Sequence, residues 1–377
     1  MAGIYIHIPF CKSRCIYCGF YSTTLLERRD PYIESLCREM ELRSEVWSPR
    51  SFSTVYLGGG TPSQLTLSQL EKLFRHLLYI YKVEENAEVT IECNPDDITQ
   101  EFADGLRALP VNRVSMGVQT FNDTRLRFLC RRHTSSQVTT AVKRLREAGI
   151  DNLSIDLMFG FPNETLADWE EDLSKAVALQ VEHLSAYSLM YEEGTPLYNI
   201  IRCRSKDEME KEEELSVQMY DMLIDKLEAA GYEHYEISNF AKSDPRRCFR
   251  SRHNGSYWQG IPYLGLGAAA HSYDINTRQW NVSDIQQYMD GILRGEVPAE
   301  KEVLTDELRY NDTVTTVLRT RKGIPLDILS GKYQTYLLRQ ARKHIDQGLL
   351  AIDDGRIALT RKGLFVSDSI MSDLMYV

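Results

Sequence analysis

The first half of the chain alternates short β-type runs with amphipathic helical runs. Gly3 to Ile8 predicts a strand, and Pro31 to Trp47 a helix capped by Asp30. Strand and helix then follow in pairs: Ser53 to Leu57 with Thr66 to Tyr79, Ala87 to Cys93 with Thr99 to Leu109, Val111 to Val118 with Asn122 to Ala148, and Asn152 to Met158 with Leu166 to Leu179. Gly149 ends the long helical stretch before it. His183 to Met190 is a sixth strand. Repeated β-α units of this length imply parallel strands joined by right-handed crossovers. They make either a doubly wound sheet or an open (βα)6 barrel, and periodicity alone does not choose.

From Ile201 the character changes. Lys206 to Glu214 is dense in charge, as a solvated helix face is, and leads into an amphipathic helix ending near Gly231. A short strand follows at Glu233 to Ile237, then an irregular basic stretch from Lys242 to Arg252. Next come the run His253-Asn254-Gly255-Ser256-Tyr257-Trp258 and the glycine-rich Leu264 to His271. From about Pro298 the chain reads as a separate α-rich module, with helices at Thr305 to Thr320 and Tyr333 to Gln347 and a hairpin over Gly348 to Leu359. Helices plus a hairpin suggest a small winged-helix-like unit. The expected division is therefore 1–200, 201–297 and 298–377.

A chain of 377 residues with 43% hydrophobic content has a real core. No apolar run approaches the ~18 to 20 residues that span a bilayer. A net charge of −10 argues against binding a phosphate backbone. The start of the chain has no charged segment followed by a long apolar one, so a reducing, cytoplasmic setting is expected. That setting matters for the eight cysteines. Cys37, Cys93, Cys130, Cys203 and Cys248 are scattered and read as core or neutral positions. Cys11, Cys15 and Cys18 are different. Three closely spaced thiolates on a loop can hold three irons of a four-iron cluster, leaving the fourth open. The competing reading is structural zinc with His7 as fourth ligand.

Other unusual residues share the position of that loop relative to the strands. Gly58-Gly59-Gly60-Thr61-Pro62 follows the second strand, Glu92 lies late in the third, Gln119 follows the fourth and Asp156 is late in the fifth. Barrels build their sites at this C-terminal rim. The glycines permit close backbone approach but form neither a P-loop nor a dinucleotide fingerprint. Glu92 and Asp156 are either ribose-binding carboxylates or satisfied structural ones.

These residues and the runs HIPFC, GGGTP, IECNP, SMGVQTF, SIDLMFGFP and GLGAAAHS resemble the oxygen-independent coproporphyrinogen III oxidase-like proteins of the radical S-adenosylmethionine (SAM) superfamily, over nearly the whole chain. The resemblance implies an open (βα)6 partial barrel with a small α-rich, winged-helix-like C-terminal domain. It implies a [4Fe-4S] cluster on Cys11, Cys15 and Cys18, and SAM contacts at Tyr5, Gly59, Gly60, Thr61, Glu92, Gln119, Arg131 and Asp156, with Met190 a further candidate. Arg132 is the alternative to Arg131 in register. Two departures from the oxidase point to the haem-chaperone branch of the family. Phe20 stands where the oxidase has a further cysteine, and the cysteine loop begins without the oxidase's longer N-terminal extension. That branch carries an HNxxYW haem-binding motif, matched here by His253, Asn254, Tyr257 and Trp258. Arg246, Arg247, Arg250 and Arg252 are candidate partners for haem propionates. The implied partners are haem and apo-haemoproteins, respiratory ones foremost, with no nucleic acid, a cluster-dependent dimer, and membrane contact only peripheral. The axial ligand stays open among His253, His234 and His271. The enzymatic alternative is coproporphyrinogen III oxidative decarboxylation.

Overall fold

A computed structural model describes residues 2–45, 47, 51–202 and 205–377, so Cys203 lies outside the described residues. Its centre is one sheet of twelve strands. Six parallel strands form the barrel wall: β1 (Gly3–Ile8), β2 (Ser51–Gly59), β3 (Lys82–Cys93), β4 (Arg113–Gln119), β5 (Leu153–Phe159) and β6 (His183–Ser188). Alternation along them separates two environments. Ile4, Ile6 and Ile8 of β1 point outward into the main hydrophobic core. Tyr5 and His7 belong to the opposite face of the same strand.

The wall does not close on itself. β6 is followed in the sheet by β8 (Asn239–Lys242) and β7 (Tyr232–Glu236), both antiparallel to their neighbours. At the other edge β1 pairs in parallel with β9 (Tyr263–Leu266), and the sheet continues through β10 (His271–Tyr273), β11 (Thr277–Asn281) and β12 (Ala299–Val303). The segment after Ile201 thus extends the same sheet in both directions. The glycine-rich run Leu264 to His271 covers most of strand β9 and the turn into β10.

The predicted helix over Asn122 to Ala148 is two helices, Asp123–Phe128 and Ser135–Glu147. Cys130 takes a left-handed backbone conformation (φ 59°) in the break, and Thr134 and Gln137 form a capping box that restarts the helix. Arg131 and Arg132 lie in this break.

The C-terminal part has its own hydrophobic cluster, which includes Tyr310, Leu318, Leu337, Ile357 and Leu374. Helices Asp306–Val317, Gly331–Asp346 and Ser367–Leu374 accompany a three-stranded antiparallel sheet, in which Arg356–Leu359 lies between Ile324–Pro325 and Leu350–Asp353. The segment after helix Asp306–Val317 caps the β7 edge: Ile237 N–H donates to Arg319 O (3.1 Å) and Arg321 N–H to Tyr235 O (3.1 Å). Among the described residues no helix is long and apolar enough to cross a membrane.

One buried carboxylate joins the barrel to the β9–β12 extension. Glu39, in helix Arg29–Ser44, has no exposed surface. It accepts from Arg43 Nε (2.8 Å), Asn281 Nδ2 (2.8 Å), Tyr288 Oη (2.7 Å) and Gly267 N (2.7 Å). Removing its cationic partner strands a buried charge. Arg43→Met is therefore expected to cost about 3–5 kcal/mol, read from the midpoint of chemical unfolding. A loss below about 1 kcal/mol would show that the charge is met in another way.

Candidate functional site

The structure divides the predicted residues between the two ends of the barrel. At the upper end, where β1 to β5 finish, the cysteine loop leaves β1 and is stitched down by Cys11 N–H to Thr23 O (2.9 Å) and Thr23 N–H to Pro9 O (2.7 Å). Cys11, Cys15 and Cys18 are free thiols, each partly exposed. Cys11 Sγ lies 3.4 Å from Thr61 Oγ1, and Arg131 Nη1 lies 3.6 Å from Cys15 Sγ. Arg131 Nη2 donates to Asn94 Oδ1 (2.6 Å) and Gly117 O (2.5 Å), which aims the guanidinium at the loop. Arg132 turns away to pair with Asp96 (3.1 Å) and Asp97 (2.9 Å). Asn94 is the residue of the IECNP run that holds Arg131.

The glycine turn has an internal reason. Gly59 sits at φ 108°, and a Cβ there would be 2.4 Å from the His7 ring. A Cβ on Gly60 would be 2.7 Å from the Pro9 backbone. Side chains at 59 and 60 would push the ends of β1 and β2 apart. His7 is 5% exposed and has both nitrogens engaged, Nδ1 with Tyr5 Oη (3.0 Å) and Nε2 with Tyr21 O (3.2 Å). Burial holds its imidazole down to about 4. Among the described residues no three His, Cys, Asp or Glu side chains converge on a single ion. Thiolates on separate irons do not need that convergence, whereas zinc ligands do. Three partly exposed thiols on one loop fit a cluster, while His7, with both ring nitrogens engaged, has none free for zinc.

Below the loop, Glu92 accepts from Tyr56 Oη (2.7 Å) and from Gly59 N (3.2 Å). Burial pushes its carboxyl up to about 7. Burial also raises Asp156, against hydrogen bonds from Ser185 and Ser115. Gln119 is 8% exposed and takes φ 70° at the end of β4. Tyr5 stacks on Tyr56 with ring centroids 6.3 Å apart. Met190 is 65% exposed and Phe20 71%.

The run His253 to Trp258 lies at the other end. β8 runs antiparallel to β6, so the chain returns to the N-terminal end of the barrel before helix Arg252–Trp258 begins. That helix is held tightly. Ser251 caps it, and the Glu88 carboxylate accepts from Arg252 N (3.0 Å) and His253 N (2.9 Å). His253 is 1% exposed, and its ring is bonded at both nitrogens, Nδ1 to Thr54 Oγ1 (2.8 Å) and Nε2 to Tyr257 Oη (2.8 Å). It stacks on Tyr56 at 5.0 Å, and burial holds its imidazole down to about 3. So placed, His253 presents no free nitrogen to an iron. Asn254 is half-buried. Trp258 faces the C-terminal domain, with the Arg319 guanidinium 5.2 Å above its ring. Of the basic residues, Arg250 is paired to Glu233 and Arg252 Nη1 donates to Asn86 O (2.7 Å), while Arg246 and Arg247 remain exposed. Of the two other histidines, His234 is buried against Phe240 (4.3 Å), and His271 lies on β10, exposed. Sequence reasoning missed Thr54, Glu88 and Arg319. Thr54 and Glu88 show only as polar residues in the strand alternation, and Arg319 carries no local signal.

Residues 5–176 match the Radical SAM superfamily and residues 304–366 the HemN C-terminal domain. The backbone superposes on coproporphyrinogen III oxidase (HemN) from Escherichia coli with a TM-score of 0.85, at 24% identity over 99% of this chain and 90% of that one. The family match and this likeness together establish an open radical SAM fold. Among curated proteins, the heme chaperone HemW of Bacillus subtilis (strain 168) is 34% identical, with 98% of each chain covered. HemW of Lactococcus lactis subsp. lactis (strain IL1403) is 33% identical over 98% of this chain and 96% of its own. The chain belongs to the HemW family of haem chaperones.

The half-buried Glu92 makes a pH-dependent contribution to stability. Its folded value of about 7 lies above the ordinary 4.5, so the stability it contributes is present at low pH and lost as pH rises through about 7. In protein without SAM, Glu92→Gln should therefore gain in thermal midpoint relative to wild type between pH 5 and pH 8. An unchanged difference across that range would mean Glu92 ionises freely.

Proposed function

We propose that this chain is a haem chaperone. It binds haem beside helix Arg252–Trp258 and passes it to apo-haemoproteins, respiratory ones foremost. Cys11, Cys15 and Cys18 hold a four-iron cluster at the upper rim. Tyr5, Gly59, Gly60, Thr61, Glu92, Gln119, Arg131 and Asp156 surround SAM next to it, and exposed Met190 is a weaker candidate. The cluster and SAM, when bound, supply one-electron chemistry at that rim. Arg131 meets the SAM carboxylate through Nη1, since its Nη2 is taken by Asn94 and Gly117, Glu92 and Asp156 accept from hydroxyls, and Thr61 bonds next to the cysteine loop.

The observation that carries this reading is the full-length match to the HemW proteins, whose name states the function. The intact run of His253, Asn254, Tyr257 and Trp258 on one helix supports it. The layout links the two ends through one residue: His253 stacks on Tyr56 at 5.0 Å, and Tyr56 Oη donates to Glu92 at the rim (2.7 Å).

Anaerobic cluster reconstitution followed by haem titration tests this. Wild type should bind haem stoichiometrically. The triple variant Cys11→Ala, Cys15→Ala, Cys18→Ala should lose its iron and sulfide, and its haem titration reads how far the rim is coupled to the motif helix through Tyr56. Wild type that binds no haem would overturn the chaperone reading. Conversion of coproporphyrinogen III to protoporphyrinogen IX under anaerobic reduction would then establish the enzymatic alternative.

A further inference from the structure

A histidine inside a haem motif invites the assignment of iron ligand. The surroundings of His253 argue for a different task. Its ring lies in the barrel floor, 1% exposed, between Thr54 of β2 and Tyr257 one turn further along its own helix. It stacks on Tyr56 at 5.0 Å and meets Tyr257 edge-on at 5.0 Å. Gly3 leaves room for it, since a Cβ there would be 3.2 Å from the imidazole and 2.8 Å from Thr54 Oγ1. Coordination of iron through either nitrogen would break a buried hydrogen bond and leave Thr54 or Tyr257 unpaired. The backbone is fixed as firmly: Glu88 takes the first N–H groups of the helix, and Ser251 N–H donates to Tyr235 Oη (3.3 Å).

The other end of the helix is under-satisfied. Trp258 Nε1 and Arg319 Nε are both buried N–H donors without a hydrogen-bond partner. They come from different domains and meet where Arg319 lies over the indole. Arg319 also lines a cavity of about 280 Å³ between helix Lys206–Ala229, β7 and the C-terminal domain. Glu236 lines the same cavity, 2% exposed, with Oε2 unpartnered. Buried donors left unpaired on Trp258 and Arg319 call for an acceptor beyond Glu236, whose carboxylate already interacts with Arg319, and a second carboxylate is the simplest.

We propose that His253 is a positioning residue that clamps the motif helix to the barrel floor, not an iron ligand, and that the motif meets haem at its Trp258 end, where Arg319 takes a propionate carboxylate. This rests on the haem reading above. In this arrangement Thr54, His253 and Tyr257 act as one unit, and loss of any one loosens the helix that carries Trp258.

The test is haem titration of the full-length, cluster-loaded protein, with Soret position and spin state recorded for each variant. His253→Ala, Thr54→Val and Tyr257→Phe should each weaken haem binding by a similar factor and lower the thermal midpoint, while the bound-haem spectrum stays that of wild type. Their stability losses should be non-additive in the double variants. Arg319→Met should weaken haem about tenfold without moving the Soret band, and Arg319→Lys should lie between. The Arg319→Met loss should vanish with protoporphyrin dimethyl ester, whose carboxylates are masked. A Soret and spin-state change confined to His253→Ala, reversed by added imidazole, would overturn the clamp and make His253 the ligand. An Arg319→Met loss equal for acid and ester would overturn the carboxylate contact. If wild type binds no haem, the haem reading itself falls. The clamp is then judged on stability alone, with additive losses refuting it. Thermal stabilisation by succinate in wild type but not Arg319→Met would then keep the carboxylate site, with a free carboxylate as its ligand, and no stabilisation would remove it.

Discussion

Glu39 settles how this chain is assembled. A carboxylate without exposed surface must be met on every side, and its four partners come from the first helix, the β9–β10 turn, β11 and helix Ile285–Leu293. Those partners span most of the sequence. The extension strands can therefore hold their register beside β1 only when the first β-α unit is already in place. β9 extends the wall from β1, and the cysteine loop begins at the top of that same strand. One buried charge thus locks together the strand from which the cysteine loop grows and the sheet that flanks it.

Much of the upper rim was legible in the sequence because parallel β-α units run in one direction. A polar residue late in such a strand lies at the same end as every other, so the cysteine loop, Gly59, Glu92, Gln119 and Asp156 fall together without any tertiary information. The same logic fails after Ile201. The antiparallel return of β8 reverses the chain, and no local pattern announces a reversal. Helix Arg252–Trp258 therefore lies at the far end of the barrel, although its residues follow the rim residues in sequence. Strands β9 to β12 were hidden for another reason. β11 is half-buried at four successive positions, so it lacks the clean alternation of a one-sided strand. The break at Cys130 was hidden because no glycine or proline marks it. It depends on a left-handed residue and a capping box, and it supplies the turn from which Arg131 reaches the cysteines.

His253 shows where residue-type reasoning stops. Imidazole beside two aromatic residues suggests a ligand, but burial and bonding of both nitrogens are properties of the fold. Thr54, 199 residues earlier, decides what the ring is free to do.

The twelve-stranded sheet ends in two edges of different kinds. The β7 edge is already occupied, because Ile237 N–H donates to Arg319 O and Arg321 N–H to Tyr235 O from the segment after helix Asp306–Val317. The β12 edge bears Glu300, Lys301 and Glu302 in succession. Charged residues along an unpaired strand resist the addition of another strand. A second copy paired antiparallel with Lys301 opposite Lys301 would set these charges against their own kind. The sheet is thus guarded against strand addition at both ends, by pairing at β7 and by charge at β12.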